Sequence, residues 1–178
     1  MVDVSTIRAR AGARPVIPAL CAGAAVFIGL AGWGLLDDRV ERAGWASFAA
    51  AVLLVTAGAI VRDTDRPREW VVLSLVDRTF DGIVLGGLVW VTRTAEPREA
   101  AGAIVALAAG FLAAYVRARA GSLGYGIEES VITPALRYLV ISVSLVVGWT
   151  SWVVWVVAVQ MLAVVALRAT QVAKEERA

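Results

Sequence analysis

Six apolar segments follow one another along the chain, and short charged segments separate them. An α-helix of about 20 apolar residues is long enough to cross the hydrocarbon core of a bilayer. The pattern therefore predicts six membrane-spanning helices rather than a soluble core. Their predicted bounds are 16–36, 45–61, 70–91, 100–116, 131–149 and 152–167.

The composition agrees with this pattern and excludes several classes of function. Hydrophobic residues make up 60% of the 178 residues, charged residues make up 18%, and the mean hydropathy is +0.76, which is unlike a soluble domain. The single cysteine rules out an internal disulfide, and the absence of histidine rules out His-based metal sites and His general-base catalysis. No basic, aromatic-rich stretch lies outside the predicted spans, so no nucleic-acid partner is predicted.

The distribution of lysine and arginine predicts the topology. With six spans both termini lie on one side of the membrane, and that side carries 12 of the 17 basic residues, three before residue 16 and nine elsewhere. The other side carries four, and Arg78 lies inside a span. Cytoplasmic segments are the ones enriched in Lys and Arg. We therefore predict an all-α integral membrane protein of the cell (plasma) membrane, a six-transmembrane-helix bundle with both termini cytoplasmic. It divides into a juxtamembrane lead (1–15), a membrane domain (16–167) and a polar cytoplasmic tail (168–178).

The third predicted span contains three charged residues, Asp77, Arg78 and Asp81. A charge at the centre of a membrane helix costs about 2.5–3.5 kcal/mol on insertion scales, so such side chains usually face a protein interior or a wet cavity. Asp77 and Asp81 are four residues apart and share one helix face. Two interpretations remain open: the three residues form a functional site, or they form an internal Asp–Arg pair that only holds helices together.

The same span carries Gly82 and Gly86, spaced as in the Gly-xxx-Gly helix-contact motif. Small residues let membrane helices approach closely, which predicts a dimer. The alternative is that glycine and alanine are simply frequent in this composition. Tryptophans near span ends are typical of membrane-interface anchors; they are Trp45, Trp70, Trp90, Trp149 and Trp152.

Two stretches and one shorter segment resemble the CDP-alcohol phosphatidyltransferases, six-span enzymes of phospholipid biosynthesis. The stretch V-D-R-T-F-D-G-I-V-L-G-G-L-V-W, residues 76–90, is similar to the family's L-D-R-x-x-D-x-x-V-L-G-G. The stretch Y-V-R-A-R-A-G-S-L-G-Y-G-I, residues 115–127, resembles Y-V-K/R-A-R-A-E-x-L-G, and A-G-A-I-V-R, residues 57–62, resembles D-G-x-x-A-R. The resemblance as a whole covers residues 16–167.

The family signature is D-x-x-D-G-x-x-A-R followed by G-x-x-x-D-x-x-x-D. In the family its four carboxylates hold two divalent cations on the CDP pyrophosphate, and the last carboxylate acts as base on the acceptor hydroxyl. Two cations can clamp the attacking and leaving oxygens of such a displacement. The resemblance implies that Asp77 is the fourth carboxylate, which makes it the candidate base and metal ligand, with Asp81 as a residual metal ligand. It implies substrate-binding roles for Gly58, Arg62, Arg117 and Arg119. Arg117 and Arg119 could equally be basic residues that flank a span and bind lipid head groups.

The other three carboxylate positions of the signature fall on Leu54, Ala57 and Leu73. One aspartate cannot replace an all-oxygen two-metal site. We therefore expect a catalytically degenerate member without a cofactor, which binds membrane lipids or acts as a partner subunit, in a homodimer or in a heteromer with an active paralogue.

Two other functions stay open. The first is an active transferase that moves a phosphatidyl-type group from a CDP-linked lipid to an alcohol or sugar-phosphate acceptor. Such an enzyme would use Mg²⁺ or Mn²⁺, with Asp63 and Asp65 as substitute ligands. The second is a small membrane transporter or scaffold unrelated to lipid synthesis.

Overall fold

The computed structural model describes residues 16–62, 67–125 and 132–175, and these residues form six α-helices without a strand. The predicted lead (1–15) and the candidate ligands Asp63 and Asp65 lie outside the described residues. The helices are α1 (Val16–Leu36), α2 (Val40–Arg62), α3 (Pro67–Thr92), α4 (Pro97–Ser122), α5 (Ile132–Val147) and α6 (Thr150–Glu175).

The helices extend beyond the apolar runs that predicted them, except for α1, whose bounds agree, and α5, which is shorter. Helix α4 continues through Arg117 and Arg119 to Ser122, and α6 continues to Glu175, through most of the segment predicted as a polar tail. Alanine and arginine are strong helix formers, so the helices continue past the apolar runs into polar sequence. Hydropathy marks where a helix leaves the apolar region, and propensity decides where the helix ends.

Two tight connections depend on backbone in the left-handed region. Asp38 has φ 55° in the turn between α1 and α2, where the Arg39 amide donates to the Gly34 carbonyl over 2.7 Å. Gly148 has φ 77° between α5 and α6, a conformation that glycine adopts without steric penalty. These turns bring α1 against α2 and α5 against α6 as antiparallel pairs.

Each helix packs on two neighbours, and the six close a ring in the order α1, α2, α5, α6, α4, α3, with α2 also touching α3. Small residues set the close approaches. A Cβ added to Gly44 of α2 would lie 2.7 Å from the backbone nitrogen of Val146 in α5. By contrast, a Cβ on Gly82 or Gly86 would meet no atom within 4 Å. These two glycines do not pack tightly within the chain, and the dimer stays a prediction.

Four of the helices, α1, α2, α4 and α6, are long and apolar enough to cross a membrane. Large apolar side chains cover their outer surfaces; Trp33 and Trp152, for example, are 72% and 82% exposed. Lipid chains are as apolar as a protein core, so such side chains can face lipid without an energetic cost. The helices indicate an integral membrane protein, whereas six crossings and cytoplasmic termini remain predictions.

Candidate functional site

Two of the three charged residues of α3, Asp77 and Asp81, meet side chains of α5 inside the ring: Arg137 contacts both aspartates, and Tyr138 contacts Asp77. Asp81 is 2% exposed and Arg137 is 4% exposed. The structure thus confirms that Asp77 and Asp81 share an inward face. Their partner Arg137 lies on α5, which begins about 40 residues after α3 ends. Charged side chains inside a membrane protein usually pair with one another in this way.

Arg137 contacts both aspartates at once. Its Nη2 lies 2.5 Å from Asp77 Oδ1, and its Nε lies 3.2 Å from Asp81 Oδ1. Arg78 also contacts both, with Nη1 3.0 Å from Asp81 Oδ2 and Nε donating to Asp77 Oδ2 over 3.1 Å. Two guanidinium groups therefore face two carboxylates, and their formal charges cancel. We call these four residues the ionic cluster.

Neighbouring groups fix the orientation of the ionic cluster. The Tyr138 hydroxyl donates to Asp77 Oδ1, and the tyrosine ring packs edge-on against Phe80 with the centroids 4.9 Å apart. Arg78 Nη1 donates to the Gly110 carbonyl of α4 over 2.9 Å. Asp81 lies at ion-pair distance from both arginines without an aligned hydrogen bond. The cluster is thus attached to α3, α4 and α5.

A cavity of about 240 Å³ lies beside the ionic cluster, toward the end of the ring where α2, α4 and α6 finish and α3 and α5 begin. Its walls are mostly apolar, and Asp77 is its one acidic lining residue among those that the structure describes. The arginines that line it are Arg62, Arg78, Arg117, Arg137 and Arg168. A guanidinium group presents a planar fork of donors that matches phosphate and carboxylate oxygens. The chemistry of this cavity favours an anion.

Two of these arginines are held by contacts with α3 and α4. Arg117 Nη2 donates to Ser74 Oγ over 3.3 Å, and Arg168 Nη1 donates to the Ala113 carbonyl over 2.5 Å. Both residues line the cavity. Because these side chains are already held in place, less side-chain entropy is lost when a ligand binds.

The structure brings most of the sequence-predicted site residues together. Asp77, Gly58, Arg62 and Arg117 all line the cavity, and Asp81 lies behind it in the ionic cluster. Arg119 is exposed and does not line the cavity. Residues two apart on a helix point to different sides, so α4 separates Arg119 from Arg117.

Sequence reasoning missed several cavity residues, of which Arg137, Tyr138 and Arg168 are the most important. Arg137 had a visible signal, because it is a charge close to the start of an apolar run. Trp70, which was predicted as a membrane-interface anchor, also lines the cavity.

The described residues do not fit the two-cation site that the family resemblance implies. They contain no group of three or more acidic, histidine or cysteine side chains that could hold a metal ion. Leu54 and Leu73, at two of the signature's carboxylate positions, contribute apolar wall. The oxygens of Asp77 and Asp81 face guanidinium groups. A divalent cation would have to compete with both arginines for its ligands.

No known family, curated protein or solved structure matches the chain. The function has to be argued from the geometry and chemistry of the site, because fold class alone does not determine activity.

Proposed function

We propose that this chain is a membrane protein of the CDP-alcohol phosphatidyltransferase type that has lost the metal-dependent transfer and binds a phosphate-bearing anion in its arginine-lined cavity. It crosses the cell membrane six times with both termini in the cytoplasm. It acts as a lipid-binding protein or as the partner subunit of an active paralogue.

The observation that carries this proposal is the pairing of Asp77 and Asp81 with Arg78 and Arg137. The family reaction requires carboxylates whose oxygens are directed at cations. In this chain two fixed guanidinium groups balance those charges and stay attached to the protein. They do not provide the exchangeable ligand positions through which two metal ions clamp a reacting phosphate.

In the proposed topology the cavity lies toward the cytoplasmic end of the ring. Arg62, Arg117 and Arg168 lie toward helix ends that belong to the side predicted to carry 12 of the basic residues. A phosphate group in the cytoplasm or in the inner leaflet would reach the cavity from that side. Positive charge concentrated at a cleft also raises the local concentration of anions.

One observation favours the alternative of an active transferase. Asp77, Gly58, Arg62 and Arg117 share a single cavity, as substrate-binding residues and a base would. For Asp77 to accept a proton from an acceptor hydroxyl, Arg137 and Tyr138 would have to release its Oδ1 atom. An active transferase therefore requires a rearrangement of the ionic cluster, whereas a protein that has lost the transfer does not.

An activity assay distinguishes an active transferase from a catalytically degenerate protein. Purified protein is given CDP-diacylglycerol, Mg²⁺ or Mn²⁺, and acceptors that include glycerol 3-phosphate and inositol phosphate, with an active family member as control. We expect no release of CMP. Release that disappears in Asp77→Asn would establish an enzyme and refute the degenerate reading.

A binding assay tests the cavity directly. We expect glycerol 3-phosphate to bind the wild type, measured by isothermal titration calorimetry, and Arg117→Gln to weaken binding because one charge-assisted contact is lost. Arg119→Gln is the matched control, since Arg119 belongs to the same helix and is exposed outside the cavity. Equal losses in the two variants would mean that general surface charge, and not the cavity, attracts the ligand.

A further inference from the structure

A groove on the outer side of α3 joins the arginine-lined cavity. Its lining residues are Trp70, Val71, Ser74, Leu75, Arg78 and Arg117. Four of the six also line the cavity: Trp70, Ser74, Arg78 and Arg117. The two spaces therefore share a common wall, and we call the outer one the α3 groove.

The outer part of the α3 groove is apolar and open. Val71 is 68% exposed and Leu75 is 67% exposed. They are four residues apart, so they stack on one face of the helix. In a protein whose outer surface meets lipid, these side chains offer a contact for a hydrocarbon chain.

The inner part of the α3 groove is polar and positive. Arg117 of α4 reaches across to Ser74 of α3, with 3.3 Å between Nη2 and Oγ. Arg78 lies one turn further along α3 and lines both spaces. A molecule lying in the groove would therefore place its apolar part on Val71 and Leu75 and its anionic part at the arginines.

The size of the cavity points to the same kind of ligand. Sites that enclose a whole drug-sized molecule measure roughly 300–1,000 Å³, and this cavity measures about 240 Å³. It has room for a phosphate-bearing headgroup, and the rest of a lipid would have to lie outside. The α3 groove supplies that outside space next to the cationic groups.

We propose that the ligand is an anionic phospholipid that enters sideways from the bilayer between α3 and α4. Its phosphate lies in the cavity near Arg117, and one acyl chain lies in the α3 groove against Val71 and Leu75. This inference rests on the proposed function, because it specifies the source of the phosphate that the cavity binds. Charge complementarity selects the headgroup, and the apolar groove selects a lipid over a soluble phosphate ester.

The test compares a lipid with a soluble phosphate. Native mass spectrometry measures binding of phosphatidic acid to the full chain in detergent micelles, with phosphatidylcholine as the lipid without net charge. Calorimetry measures binding of glycerol 3-phosphate. Leu75→Trp fills the groove at an exposed position. Val72→Trp is the matched control, because Val72 is exposed on the same helix and does not line the groove.

We expect phosphatidic acid to bind more tightly than phosphatidylcholine. Leu75→Trp should weaken phosphatidic acid by about tenfold, the change expected when roughly two methylene groups of the lipid lose their contact. Val72→Trp should leave lipid binding unchanged, and both variants should bind glycerol 3-phosphate as the wild type does.

Two results would overturn the inference in different ways. If Leu75→Trp binds phosphatidic acid as tightly as the wild type while Arg117→Gln weakens both ligands, the cavity binds phosphate but the lipid does not use the groove. The proposed function would then survive without lateral entry. If the wild type binds neither phosphatidic acid nor glycerol 3-phosphate, the proposed function fails and the inference fails with it.

Discussion

Replacing Arg137 with leucine removes a side chain of α5 that contacts both aspartates of the ionic cluster. Arg78 is then left facing two carboxylates, Asp77 and Asp81. Because Asp81 is 2% exposed, water cannot easily solvate the unbalanced charge. The cluster changes from neutral to a formal charge of −1.

The expected cost follows from the burial of the pair. Removing one partner of a buried ion pair destabilises a protein by about 3–5 kcal/mol, whereas replacing both partners with apolar residues is often close to neutral. Arg78 still contacts both aspartates, so we expect about 3 kcal/mol, the lower end of that range. The double variant Arg137→Leu with Asp81→Leu restores charge balance and should lose less than the sum of the single variants.

The assay is reversible unfolding in mixed micelles by titration with sodium dodecyl sulfate, followed by circular dichroism. A double-mutant cycle over Arg137 and Asp81 gives their interaction energy directly, and neighbouring ionic groups commonly couple by about 0.5–3 kcal/mol. A loss below about 1 kcal/mol in Arg137→Leu, together with additive effects in the double variant, would refute the account of a buried and mutually dependent cluster.

The remaining predictions concern contacts away from the cavity. Gly44→Ala should destabilise by about 1–3 kcal/mol, since the added Cβ would overpack the contact of α2 with α5, lying 2.7 Å from the Val146 nitrogen. A Cβ added at Gly29 would meet no atom within 4 Å, so Gly29→Ala should stabilise the protein by up to about 1 kcal/mol through its higher helix propensity. Equal changes in the free energy of unfolding for Gly44→Ala and Gly29→Ala would contradict both expectations. Glu99→Ala should cost about 1–3 kcal/mol, because Glu99 is buried and accepts hydrogen bonds from Thr150, over 2.8 Å, and from Ser151. A loss in Glu99→Gln as large as in Glu99→Ala would show that the charge matters more than the contact.

The sequence predicted local features of the fold better than the pairing between helices. The bounds of α1 and the shared face of Asp77 and Asp81 followed from hydropathy and from helix periodicity, which act over a few residues. The pairing of Asp77 with Arg137 spans 60 residues. It depends on the order of helices in the ring, which periodicity alone does not encode.

The separation of Arg117 from Arg119 shows a second limit of prediction from the sequence. The apolar runs placed both in a polar connection, and the family resemblance implied the same substrate-binding role for both. The structure continues α4 through them, so that Arg117 lines the cavity and Arg119 is exposed. The difference follows from helix geometry once the helix end is known, and helix ends are the features that hydropathy locates least well.

In the proposed function arginines, and not divalent cations, hold a phosphate group in the cavity. The most direct measurement is the titration of glycerol 3-phosphate into the wild-type protein by calorimetry, once with excess EDTA and once with Mg²⁺. We expect the same affinity in both conditions and a weaker affinity in Arg117→Gln. Binding that requires Mg²⁺ and disappears in Asp77→Asn would contradict it and would point to a metal site at the aspartates.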